Sequence, residues 1–139
     1  MSLKMSREER EAFLADLHVG VVSISRQGKA PLTAPIWYDY EPGGKVWMIT
    51  GTSSLKAAAL ADTYQISLVA QTEAPPYQYV SVSGSCSTRD VAEGELLAMA
   101  IRYLGEEQGQ AYAAAAGGGG DFIVEFTPET WMTVDYSKM

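Results

Sequence analysis

One cysteine and one histidine are all the soft metal ligands that 139 residues supply. A lone Cys86 excludes an intrachain disulfide and fits a reducing, intracellular setting. His18 is the sole imidazole, so neither Cys-x-x-Cys nor His-x-x-x-His spacing exists and no metal site is expected. Basic charge is scarce too. Ten Lys and Arg against 17 Asp and Glu leave a net charge of −7. That argues against a nucleic-acid binder, whose affinity comes from cations on phosphates. No apolar run is long enough to span a bilayer. "MSLKMSREER" lacks the apolar stretch of a signal peptide. A cytoplasmic protein without a membrane partner is expected, with Met1–Lys4 read as a variable start.

Catalytic side chains are equally sparse. His18 falls near the end of the first expected helix, where a histidine is usually a packing or helix-end residue. Cys86 stands among small strand residues, as a buried apolar side chain would. The pairs Glu8–Glu9 and Glu106–Glu107 lie on polar helix faces and read as solvated. A chain with so little acid–base equipment either binds passively or takes its chemistry from an organic cofactor.

What remains is a globular composition, 47% hydrophobic and 19% charged, and one domain spanning 1–139 is expected. "SREEREAFLADLH" predicts a helix, with Ser6 and Glu9 as a capping box and Phe13, Leu14 and Leu17 on its apolar face. "VGVVSIS", "APLTAPIWYDY" and "KVWMIT" predict strands separated by the turns "RQGK" and "EPGG". "SSLKAAALAD" predicts a short helix, and "TYQISLVAQ" and "YVSVSGSCS" two more strands. "DVAEGELLAMAIRYLG" predicts a helix capped by Asp90, and "EEQGQAYAAAA" another that ends at Gly117–Gly120. "DFIVEFT" and "ETWMTVDY" complete the chain as strands. About six strands in an antiparallel sheet, closed into a small barrel with helices outside, is the expected α+β fold.

One stretch stands out. "TGTSSLKAAAL" places Thr50, Ser53 and Ser54 at a strand end and Lys56 in the first turn of a helix. Free N–H groups, hydroxyls and a cation there suit a phosphate. The same residues suit a plain helix cap, and spacing alone leaves both readings open. Pro35, Trp37, Tyr38 and Tyr40, with Trp47 on a neighbouring strand, are either barrel core or the wall of a flat ligand.

In their order and spacing, "PLTAPIWY", "SSLKAAAL", "RYLGEEQGQAY" and the terminal "W…DY" resemble the pyridoxamine-5′-phosphate-oxidase-like FMN-binding split-barrel family. They are most similar to its flavin/deazaflavin oxidoreductase branch, which includes enzymes using cofactor F420. The resemblance spans roughly residues 7–135. It implies a six-stranded antiparallel split β-barrel, mainly β with helices, acting as a homodimer with F420 or FMN at the subunit interface. It places the cofactor phosphate on Thr50, Ser53, Ser54 and Lys56, and the ring along Pro35, Ile36, Trp37 and Tyr38. Gln71, Tyr77 and Tyr79 are candidates for closing the partner's site. Tyr38 or Tyr77 is a candidate proton donor. Arg26, Lys29 and Lys45 are candidates for helping with a polyanionic tail. The implied activity is hydride transfer between F420 or FMN and a small organic substrate. The Arg- and His-bearing extension of authentic pyridoxamine-phosphate oxidases does not follow "WMTVDYSKM", so that reaction is not expected. The alternative is a non-catalytic protein that binds or stores a flavin, deazaflavin or haem.

Overall fold

The computed structural model describes residues 1–51, 60–61, 65–116 and 119–139. Helix α1 (Arg7–Ala15) begins with the expected capping box. The Ser6 hydroxyl accepts from the Glu9 N–H at 3.1 Å, and the Glu9 carboxylate accepts from the Ser6 N–H at 2.7 Å. Two otherwise orphaned donors are thereby satisfied. Phe13 and Leu14 are buried, but the helix stops before Leu17, which is 57% exposed. The residues before the cap are not loose. The Leu3 carbonyl accepts from the Asp135 N–H, and Met5 is buried.

Strands β1 (Gly20–Arg26) and β2 (Lys29–Ile36) form a hairpin whose turn uses Gly28 at φ +70°. Then come β3 (Asp39–Tyr40), β4 (Val46–Gly51), β5 (Gln65–Gln71) and the long β6 (Gln78–Asp90). Two helices follow, α2 (Glu95–Leu104) and α3 (Glu106–Ala116), and then β7 (Asp121–Phe126) and β8 (Thr130–Asp135). The expected helix over 53–62 and the glycines at 117–118 lie outside the described residues, apart from Leu60 and Ala61.

All pairings are antiparallel, in the order β2-β1-β5-β6-β7-β4-β3, with β8 also on β6. The sheet therefore has eight strands rather than six, and its ends do not close on each other. The "APLTAPIWYDY" run, expected as one strand, divides into β2 and β3, while β7 and β8, expected as separate strands, are two segments of one path along β6. Phe122–Phe126 pair with Asp90–Cys86, then Thr130–Asp135 pair with Ser83–Gln78, so one residue of offset is absorbed between them. Gly84 permits that bend, because a Cβ there would collide with the Thr127 carbonyl.

Alternation sorts the two faces. Val22, Ile24, Ile66, Leu68, Ala70, Val80 and Val82 point inward and are almost fully buried. On the outer face, Pro35, Val21, Val69, Ser81 and Met132 stand side by side across five strands, and Thr33, Ser23, Ser67, Ser83 and Thr130 form the next row. Neither row holds a charged residue.

Asp90 does not cap α2. It is the last residue of β6, and α2 starts after Gly94 without a side-chain cap bond. Its anchor is Arg89, which donates to both Glu95 oxygens at 2.8 and 2.9 Å and to Glu125 at 3.1 Å. Among the described residues, no helix is long and apolar enough to cross a membrane.

Candidate functional site

The end of β2 and the start of the following segment are held from three sides. Tyr38 is fully buried, and its hydroxyl donates to the Leu14 carbonyl at 2.7 Å. Gly20 leaves room for that ring, since a Cβ there would lie 2.9 Å from the Tyr38 ring. The Tyr38 N–H donates to the Tyr103 hydroxyl at 3.0 Å. That hydroxyl faces the carbonyl oxygens of His18 at 2.6 Å and Tyr38 at 2.9 Å. Arg102 donates to the carbonyls of Tyr38, Ala15 and Asp16 and sits 3.4 Å from the Asp39 carboxylate. Burial pushes the Tyr38 hydroxyl well above its ordinary value. Its side chain ties the segment between β2 and β3 to α1, and a hydroxyl so buried and committed to the Leu14 carbonyl is unsuited to donating a proton to a substrate.

Trp37 points the other way. Its ring stacks on Tyr103, centroids 5.0 Å apart and planes 3° from parallel. It borders a cleft of about 420 Å³ with Pro35, Ile36 and, from β4, Ile49, Thr50 and Gly51. The opposite side comes from α2 and α3 through Leu96, Met99 and Tyr112. Asp121 is the one charged residue among the described lining. An apolar slot with an aromatic wall and few polar groups suits a flat ring. Thr50 and Gly51, the last two residues of β4, border it.

The sequence over residues 6–135 matches the family model described as pyridoxamine 5′-phosphate oxidase. The chain belongs to that family. No curated protein matches the sequence. Solved structures repeat the fold at low identity. The conserved hypothetical protein Rv2991 of Mycobacterium tuberculosis is 19% identical with a TM-score of 0.78, covering 98% of this chain and 88% of its own. A structure named F420 reductase is 16% identical with a TM-score of 0.70, covering 88% and 94%. A FAD-binding protein of Mesorhizobium loti is 14% identical with a TM-score of 0.67, covering 93% and 94%.

Of the residues singled out in sequence, the cleft gathers Pro35, Ile36, Trp37 and Thr50. Ser53, Ser54 and Lys56 lie outside the described residues. Gln71 opens instead into a neighbouring groove of about 930 Å³ that shares Pro35 and Val19 with the first. Tyr79 is paired directly with Gln71 on the outer face, and Tyr77 just before β6 is 51% exposed. Tyr40 is core, edge-on to Trp131. Trp47 pairs with Asp39 and Glu125 and does not border the cleft. Two of the three helper cations are engaged elsewhere. Arg26 donates to the Ala30 carbonyl in its hairpin with Lys29, and Lys45 lies 3.5 Å from Glu125.

His18 lies beyond the end of α1. Its ring is stacked on Phe13 at 4.5 Å, with Nε2 3.0 Å from the Phe13 carbonyl. That is a packing role rather than a ligand's. Burial raises the Cys86 thiol above its ordinary value, away from a reactive thiolate. Among the described residues, no group of His, Cys, Asp and Glu could hold a metal ion. Sequence reasoning missed the contribution of α2 and α3. The available signal was Gly109 inside "EEQGQAY", a helix-interior glycine that marks close packing.

Proposed function

We propose that this protein is an oxidoreductase that binds F420 or FMN and works as a cytoplasmic homodimer. The observation that carries the reading is the cleft. Its Trp37 wall is backed by Tyr103, Pro35, Ile36 and Ile49 line it, and it reaches Thr50 and Gly51 at the end of β4, the residues that in sequence immediately precede the hydroxyl- and lysine-bearing stretch. Family membership supports a flavin-type cofactor, and the likeness to an F420 reductase and a FAD-binding protein agrees with it.

In this reading, the bound cofactor supplies hydride transfer to or from a small organic substrate. Pro35, Ile36 and Trp37 bind and orient the ring, and the buried Tyr38 fixes the strand that carries them. Thr50, Ser53, Ser54 and Lys56 hold the phosphate. The uncharged outer rows from Pro35 to Met132 meet the same rows of a second copy, a patch suited to a stable interface. Gln71, Tyr77 and Tyr79 lie on or beside that face and close the partner's site. The exposed Tyr77 hydroxyl is the candidate proton donor.

The test is the visible spectrum of the purified protein, then titration with FMN and with F420. Micromolar binding of at least one is expected, and binding of neither would refute the proposal. The scarcity of proton-transfer groups in the described lining favours a second reading, a flavin or deazaflavin carrier. Turnover of reduced cofactor with any of a panel of quinones and enones separates the enzyme from the carrier.

A further inference from the structure

The cleft's most exposed ring, the last residue of "RYLGEEQGQAY", is given no role by the family resemblance. Tyr112 on α3 is 45% exposed and meets Trp37 at 5.5 Å, with the planes 52° apart. Both rings border the cleft, and so does Ala116, one turn beyond Tyr112. One turn before it, Gly109 is buried against α2. The α3 face that begins as a helix–helix contact therefore continues as a wall of the cleft. Trp37 has little freedom to adapt. Tyr103 covers it in parallel, and the Tyr103 hydroxyl is held among backbone groups of His18 and Tyr38.

We infer that Tyr112 is a ring-contacting residue of the cleft, forming a corner with Trp37 against a planar aromatic ligand, and that Tyr103 is the positioning residue that holds Trp37. The inference rests on the reading of this cleft as the site of the cofactor ring. Two rings at 52° make a corner rather than a slot. A planar ligand stacked on one presents its edge to the other, and both geometries are favourable because ring faces are negative and ring edges positive. The corner acts on the ring and not on the phosphate, which gives the test its discrimination.

Wild type and variants are titrated with FMN and with riboflavin, the same ring without the phosphate; if only F420 binds, F420 serves as the probe. Tyr112→Ala is expected to weaken FMN and riboflavin by a common factor of about two to twelve, the range of one aromatic pair. Tyr112→Phe should leave both within about twofold, because the ring rather than the hydroxyl makes the contact. Tyr112→Leu keeps apolar bulk without the ring and should lose affinity as Tyr112→Ala does. Tyr103→Phe keeps the stack but releases its anchor, and should weaken both ligands while the thermal midpoints of the Tyr112 variants stay near wild type. Unchanged affinities in Tyr112→Ala and Tyr112→Leu overturn this inference alone. A loss confined to FMN also overturns it, since that would mark a phosphate contact. Wild-type protein that binds neither FMN nor F420 overturns the cofactor reading and this inference with it.

Discussion

Gly109 of α3 rests on the backbone of Ile101 in α2, so closely that a Cβ would lie 2.7 Å from both the Cα and the N of Ile101. Backbone atoms cannot swing aside as a side chain would. Helix propensity alone favours Gly109→Ala by about 1 kcal/mol. Overpacking against backbone costs about 1–3 kcal/mol. We expect Gly109→Ala to lower the unfolding free energy in a urea titration. A more stable variant would mean that α2 and α3 separate at no cost.

Tyr38→Phe should cost about 0.5–1.5 kcal/mol, the net worth of the hydrogen bond to the Leu14 carbonyl. The same hydroxyl makes the fold sensitive to alkali. Its folded value is raised above the ordinary 10.0 by burial. Above that pH the unfolded chain releases a proton that the folded chain keeps. Stability is therefore fully present below pH 10.0 and falls as pH rises beyond it. Tyr40 is shifted the same way by burial, so Tyr38→Phe should reduce the alkaline slope without abolishing it. Melts across that pH range read both effects, and an unchanged slope would contradict the account.

Lys56→Ala tests the phosphate assignment. A charge-assisted hydrogen bond is worth about 1.5–3 kcal/mol, so FMN or F420 should bind at least tenfold more weakly. Riboflavin should be indifferent to the change. Equal affinity of the variant and wild type for FMN would leave Lys56 as an ordinary surface lysine.

The uncharged outer rows give a prediction about assembly. Met132 is 57% exposed and adjoins Ser81 across β6 and β8. Met132→Lys would bring like charges together near a two-fold contact, where burying an unpaired cation is costly. Sedimentation should show wild type as a dimer and Met132→Lys shifted toward monomer. A wild type that sediments as a monomer at all concentrations would remove the homodimer from the proposal.

Much of the architecture was legible in the chain. The Ser6–Glu9 box, the Gly28 turn and the alternation from Tyr79 to Ser83 are local signals with local causes, and all three appear as expected. The errors share a different character. Asp90 looks like a helix cap, yet strand pairing with Phe122 claims it, because β7 is remote in sequence. Leu17 fits a helical stripe, yet the chain leaves the helix at Asp16 to reach β1. Trp37 and Tyr38 are neighbours in one aromatic run, and only the tertiary partners Tyr103 and Leu14 send one ring to the cleft and the other to the core. Tyr112 was hidden for the same reason, apart from the helix-interior Gly109 that hints at close packing. Its place follows from the backbone contact at Gly109, which no periodicity encodes.

Strand β6 has partners on both sides at once. Residues Tyr79–Ser83 are flanked by β5 and β8, while the stretch beyond Gly84 turns to β7. No other pair of strands ties the β1–β2–β5 group to the β7–β4–β3 group among the described residues. Opening either group must therefore expose the same spine. The amides of Val80 and Val82 should exchange with deuterium only through global unfolding, and so report the free energy of the whole molecule.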